Sequence, residues 1–218
     1  MLNFSVADDV AHIAIDDGKA NAVGHAFLDA LETGLDRAEK EAKAAVISGR
    51  IGVFSGGFDL KEFQKGPAAT AELAARGGRM LLRLFSHPQP TIAACGGHAV
   101  AAGALILLAS DTRLAAAGDF KIGLNETAIG MSLPVFATQL AAARLSKRHQ
   151  TRAFVQAALL DPQEAQDAGF VDEVVAAEDL VARAMTSAAQ LAELPTEAYA
   201  ANKRAIRAPF IDAIAASL

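Results

Sequence analysis

The segment Ala102–Ser110 reads as a helix that is apolar on nearly every face. A helix without a polar stripe has to be buried on all sides. The rest of the chain must therefore wrap around it, which calls for several packed layers. Its flanks supply them. Thr91–Ala94 reads as a strand, followed by a turn at Gly96–Gly97. Thr112–Ala116 and Phe120–Ile122 read as short strands separated by a Gly118–Asp119 turn.

Earlier in the chain, Phe4–Ala7 and Val10–Ile15 alternate around Asp8–Asp9 and predict a hairpin. Phe27, Leu28, Leu31, Leu35 and Ala38 recur at helical spacing, so His25–Lys40 reads as an amphipathic helix. Ala44–Ser48 suits a buried strand and runs into the glycine-punctuated stretch Gly49–Gly57. A helical turn at Asp59–Phe63 and a helix at Thr70–Phe85 follow. From Val135 the pattern is mainly helical: Val135–Leu145, His149–Leu160, Pro162–Ala168, a strand at Val171–Val175, then helices at Glu178–Leu194 and Thr196–Pro209. The reading is an α/β (α+β) core over residues 1–175 with a helical region over 176–218.

Composition removes several function classes. With 218 residues there is room for one substantial core. A net charge of −5, no basic block, one Tyr and no Trp leave no electrostatic footprint for nucleic acid. Cys95 is the only cysteine, so neither a disulfide framework nor a multi-thiolate metal site is expected, and its apolar neighbours make it a core residue. His12, His25, His87, His98 and His149 are scattered without metal-ligand spacing. No dinucleotide fingerprint, Walker loop, H-E-x-x-H or G-x-S-x-G motif occurs. The expectation is no metal and no cofactor. No secretory signal, membrane span or peroxisomal address is visible, which predicts a cytoplasmic location without a membrane partner.

Two stretches share one design of apolar strand, small residues and helix start. One runs from Val46 through Phe54-Ser55-Gly56-Gly57-Phe58-Asp59-Leu60, the other from Thr91 through Gly96-Gly97 to Ala101-Ala102-Gly103. Each places a backbone N–H, of Phe58 and of Ala102, at a helix N-terminus, where donors are unpaired and the dipole is positive. Two such donors aimed at one point form an oxyanion hole; the same spacing also suits two tight strand-to-helix turns. Glu126, in Ile122-Gly123-Leu124-Asn125-Glu126-Thr127, follows a short strand among apolar neighbours. A carboxylate there has its pKa raised by desolvation, which suits a general base; a helix cap or a solvated side chain is the other reading. His98 reads as a packed, hydrogen-bonded histidine.

Together these stretches resemble the crotonase superfamily, also called the enoyl-CoA hydratase/isomerase family. Phe54–Glu62 looks like its first signature; Gly97–Gly103 with Ala109-Ser110-Asp111-Thr112-Arg113 looks like its second. Glu164-Ala165 and Ala168–Val175 resemble its later landmark. The similarity runs in order along nearly the whole chain, although Ala101-Ala102 stands where a glycine pair is common. It implies a spiral core of repeated ββα units, and a homo-oligomer, a trimer or dimer of trimers, held partly by the C-terminal helices. It implies an acyl-CoA substrate whose thioester oxygen sits on the N–H groups of Phe58 and Ala102. Asp59, Leu60 and Lys61 would lie beside the nucleotide end of coenzyme A, with Lys203 and Arg204 either near a neighbouring subunit's coenzyme A phosphate or on a solvated face.

The hydratase branch of the family uses two glutamates. One corresponds to Glu126, the other to Leu105, which cannot carry a proton. The segment around Glu126 looks particularly like the mitochondrial Δ3,Δ2-enoyl-CoA isomerases, which rely on one glutamate. The resemblance implies such an isomerase, with Leu105 beside the substrate. The alternatives are an enoyl-CoA hydratase or other crotonase lyase, and a non-catalytic acyl-CoA-binding homologue.

Overall fold

A computed structural model describes residues 2–218. β1 (Leu2–Ala7) and β2 (Val10–Ile15) form the expected antiparallel hairpin. Its turn holds Asp8 and Asp9 at φ of 50° and 59°, a conformation that a short polar side chain tolerates better than most. α1 (His25–Glu41) buries the stripe from Phe27 to Ala38.

Three strand–strand–helix units then follow. The first is β3 (Ala44–Ser48), β4 (Gly52–Ser55), the short α2 (Leu60–Phe63) and α3 (Pro67–Phe85). The second is β5 (Thr91–Cys95), β6 (Gly97–Val100) and α4 (Ala102–Ala109). The third is β7 (Thr112–Ala116), β8 (Ile122–Gly123), a 3-10 turn (Glu126–Ile129) and α5 (Val135–Arg144). α6 (Lys147–Gln150), α7 (Pro162–Ala168), β9 (Glu173–Val175), α8 (Leu180–Ala192) and α9 (Thr196–Ala215) complete the chain.

The first strand of each unit enters a six-stranded sheet ordered β1-β2-β3-β5-β7-β9, and the second enters a three-stranded sheet ordered β4-β6-β8. From β2 to β9 every pairing in the large sheet is parallel. Every residue of β3 and β5 is buried, as a parallel sheet covered on both faces requires. α1 packs on β1, β2 and β3, and α8 on β2, β3, β5 and β7. All eight residues of α4 are buried, so the apolar helix of the sequence is enclosed as its pattern demands. α9 packs on α3 and α5, so both C-terminal helices rest on the chain's own core.

Several elements differ from the sequence reading. The glycine-punctuated stretches contain β4 and β6, which pair in parallel with each other. Neither has a long apolar run; pairing, not propensity, makes them strands. Gly97 is a β6 residue, not a turn, and a Cβ there would come within 2.2 Å of the Gly52 carbonyl oxygen. His149–Leu160 is not one helix: α6 gives way to a π-helical turn at Thr151–Val155. Leu160 then exchanges two backbone hydrogen bonds of 2.9 Å with Ile122, outside any helix. α9 continues through Pro209 to Ala215. The bond that Pro209 cannot donate would have gone to Ala205, and both residues are exposed, so water can serve that carbonyl.

Candidate active site

Phe58 sits on the loop between β4 and α2, pinned on both sides by Val23. Val23 N–H donates to Gly57 O at 2.7 Å, and Asp59 N–H donates to Val23 O at 3.2 Å. In such a parallel bridge alternate peptide groups point opposite ways, so the Phe58 N–H faces away from Val23. It donates to no acceptor among the described residues. Asn21 braces the same loop from beneath: it is fully buried and donates to Ile15 O at 2.8 Å and Phe54 O at 3.2 Å, while Ser55 Oγ donates to Asn21 O at 2.7 Å. Sequence reasoning passed over Asn21; its one local signal is an asparagine in a glycine-rich loop, held here at φ 48°.

The second loop lies against the first. A Cβ on Gly57 would fall 2.9 Å from the Ala101 Cβ and 3.6 Å from the Ala102 nitrogen. Gly57 itself has φ 96°, so a side chain is excluded by conformation as well as by space. Ala101 has φ 52° and ψ −120° and caps α4 without a side-chain acceptor. The Ala102 N–H, first in the helix, donates to nothing among the described residues. A Cβ on Gly103 would lie 2.3 Å from Ser55 O, so α4 starts directly on β4. Two free backbone donors thus sit on touching loops, one of them at the positive end of a buried helix dipole.

Glu126 opens the 3-10 turn after β8 and is 8% exposed. Its Oε2 is buried without a hydrogen-bond partner. Burial pushes its carboxyl above the ordinary glutamate range, opposed only by its own backbone N–H. The turn is fastened by Met131 N–H to Glu126 O at 2.9 Å and by Thr127 Oγ–H to Phe154 O at 2.9 Å. Of the alternatives left by the sequence, the solvated side chain is excluded by burial, and the cap position of the turn is held by Asn125, not Glu126. Leu105, one turn into α4 beyond Ala102, is 1% exposed and donates its N–H to Ala101 O.

The remaining candidates are placed as follows. Asp59 caps α2, accepting the Lys61 N–H at 2.9 Å, while Leu60, 57% exposed, and Lys61 lie on the surface. Lys203 is not on a solvated face: it is buried and donates to His87 O, Gln89 O and Asp111 Oδ2 at 2.6, 2.9 and 2.5 Å. That leaves it no free proton with which to reach a phosphate, whereas Arg204 is exposed. His98 Nδ1 accepts the Lys121 N–H at 3.1 Å, so the expected hydrogen bond is present, but the residue is exposed and not packed. Cys95 is fully buried and its thiol is pushed up to about 12, so it is a core residue. Among the described residues, no three of His, Cys, Asp and Glu gather as a metal site, and no helix is long and apolar enough to cross a membrane.

The model of one protein family, Enoyl-CoA hydratase/isomerase, matches residues 6–218 of this chain. The chain belongs to that family. It is 30% identical over 203 residues to human mitochondrial enoyl-CoA delta isomerase 1, an alignment covering 91% of the chain and 67% of that protein. It is 36% identical over 140 residues to a probable enoyl-CoA hydratase of Bacillus subtilis, covering 62% of the chain and 54% of the relative. The chain thus spans roughly half to two thirds of the length of these curated relatives. A solved enoyl-CoA hydratase/isomerase family protein from Pseudomonas syringae superposes with a TM-score of 0.96 at 39% identity, covering 99% of this chain and 94% of that one. The crotonase fold expected from the sequence is therefore the fold observed, and the three strand–strand–helix units are its spiral.

Proposed function

We propose that this member of the enoyl-CoA hydratase/isomerase family isomerises a 3-enoyl-CoA to the 2-enoyl-CoA, with Glu126 as its one proton carrier. The reading rests on the unpartnered, buried Glu126 Oε2, joined to leucine at position 105, where the two-acid members of the family have their other glutamate. The thioester oxygen accepts hydrogen bonds from the Phe58 and Ala102 N–H groups. Glu126 takes a proton from C2, the electrons spread over C2, C3, C4 and the thioester oxygen, and Glu126 returns the proton to C4. The double bond moves from C3–C4 to C2–C3, and no electron is gained or lost.

Both parts have a physical magnitude. An acid–base group of this kind contributes a factor of about 10²–10⁴, and each backbone donor to the developing oxyanion about 10²–10³. A dry carboxyl of raised pKa holds its proton long enough to give it back to carbon. Adding water would need a second polar group to hold that water, and Leu105 offers none. Asp59, Leu60 and Lys61, on the rim beside Phe58, are assigned to the coenzyme A end of the substrate. The C-terminal helical region, 176–218, is assigned to a trimer-based oligomer.

Parallel assays with a 3-enoyl-CoA and a 2-enoyl-CoA test the reading. Isomerisation of the first with no hydration of the second supports it. Hydration as the dominant activity makes the chain a hydratase, and binding of both without turnover makes it a non-catalytic homologue.

A further inference from the structure

α3 carries two adjacent glycines in its interior, Gly77 and Gly78, both buried. Glycine is the least favoured residue of a helix interior after proline. Neither has a positive φ, so space and not conformation excludes a side chain there. The two meet different neighbours. A Cβ on Gly78 would fall 2.8 Å from Phe136 Cδ1 on α5 and 2.5 Å from Leu218 Cδ2. A Cβ on Gly77 would fall 2.6 Å from Phe58 Cε1 and 2.8 Å from Phe58 Cζ. The far end of the Phe58 ring therefore rests on the bare backbone of α3.

Phe58 is also the residue whose free N–H belongs to the site. Val23 holds its peptide from one side, as described above. Its ring is held by Gly77 and by the Phe63 ring, 5.7 Å away between centroids. An ordinary carbon–carbon contact is about 3.5–4.0 Å, so a methyl group at position 77 would drive the ring back by about 1 Å. With Phe63 packed on the same ring, part of that displacement passes to the Phe58 backbone. A backbone donor serves an oxyanion only over about 2.7–3.1 Å, and a misplacement of about 1 Å costs up to about 10²-fold in rate.

We propose that Gly77 is a positioning residue of the oxyanion hole: by seating the Phe58 ring on α3, it sets where the Phe58 N–H points. The inference rests on the assignment of that N–H to the thioester oxygen, and not on which reaction follows.

A double-mutant cycle of Gly77→Ala and Phe58→Leu tests it with two readouts. One is kcat and KM on a 3-enoyl-CoA. The other is the infrared carbonyl stretch of bound butyryl-CoA, isotope-labelled at the thioester carbonyl, which has no double bond to move. Leucine keeps the N–H but lacks the two ring atoms nearest Gly77; its branch ends near the place of Phe58 Cδ1, 3.9 Å from the added Cβ. In the wild type the stretch lies below its value in water. Gly77→Ala moves it back towards that value and lowers kcat by up to about 10²-fold with KM little changed. Phe58→Leu, which gives up the seat on α3, moves both in the same direction, and adding Gly77→Ala to it changes neither further. Gly78→Ala, the control for damage to α3, lowers stability and leaves the stretch at its wild-type position.

A wild-type stretch in either Gly77→Ala or Phe58→Leu would overturn the proposal, and the second variant decides should the first not fold. Equal losses from Gly77→Ala in both backgrounds, or as large a shift in Gly78→Ala, would overturn it too, for the glycine is then merely structural. A wild type that lowers the stretch but isomerises nothing overturns the isomerase reading alone, and the stretch cycle still decides the role of Gly77.

Discussion

Ala101 donates its N–H to the carbonyl of Gly123 at 2.9 Å. This one bond extends the pairing of β6 with β8 and joins the loop carrying the Ala102 donor to the segment that, three residues on, carries Glu126. Through Gly57, the Phe58 donor rests against the same Ala101. The three groups assigned to catalysis are therefore set relative to one another by short strands and not by long loops.

Glu126→Gln removes nearly all isomerase turnover, by about 10²–10⁴-fold, and leaves coenzyme A-ester binding largely intact, because an amide keeps the shape but not the basicity. Steady-state kinetics with a direct binding measurement checks it; a variant retaining more than about a tenth of wild-type turnover, far above that range, rules Glu126 out as the base.

The raised Glu126 pKa fixes two pH effects of defined sign. Turnover needs the carboxylate, so kcat/KM falls as pH drops through a value above that of an ordinary glutamate. The folded chain holds this proton more tightly than the unfolded chain, so the contribution to stability is present at low pH and lost as pH rises through the folded pKa. Glu126→Gln, always neutral, is accordingly more stable than wild type at neutral pH, and the gap closes towards pH 4. Thermal melts of both proteins across pH measure the difference.

Ala101 and Gly57 respond oppositely to substitution. Ala101→Gly relieves a non-glycine residue at φ 52°, ψ −120°, so it raises stability by up to about 1–2 kcal/mol, strain relief less the added freedom of the unfolded chain. Gly57→Ala places a methyl 2.9 Å from the Ala101 Cβ at φ 96°, which destabilises the loop and displaces the Phe58 N–H. Chemical denaturation of the two variants, with kcat, separates these outcomes.

Leu105→Glu puts a second carboxyl in the place of a side chain that is 1% exposed. It raises the ratio of hydration to isomerisation on a 2-enoyl-CoA and lowers stability by a few kcal/mol, the cost of burying a poorly partnered carboxyl. A folded, coenzyme A-binding variant with an unchanged ratio would show that Leu105 does not face the substrate.

Val181, Leu194 and Ile206 are exposed on the C-terminal helical region, Ile206 at 78%, and Phe210 is half-buried beside them in sequence. A trimer or dimer of trimers would cover such a surface. Sedimentation is expected to show that assembly, and a stable monomer at micromolar concentration refutes it.

The sequence by itself determined the elements whose signal is local. β3 and β5 are short, mostly apolar runs and α4 has no polar face; each was legible because propensity and burial pattern agree within a few residues. Glu126 was legible as a candidate for the same reason, a lone acid among apolar neighbours. Tertiary structure decided what depends on distant partners. β4 and β6 are four-residue strands rich in small side chains, and only their pairing with each other makes them regular. Lys203 looks like any surface lysine in sequence, yet Asp111 and two carbonyls, 92 to 116 residues away, account for all of its protons. Asn21 reveals its role only once Ile15 and Phe54 are brought beside it. Local patterns report which face of a segment avoids water; which polar groups find one another across the fold is settled by packing, because a buried donor or acceptor must be matched wherever its partner lies in the chain.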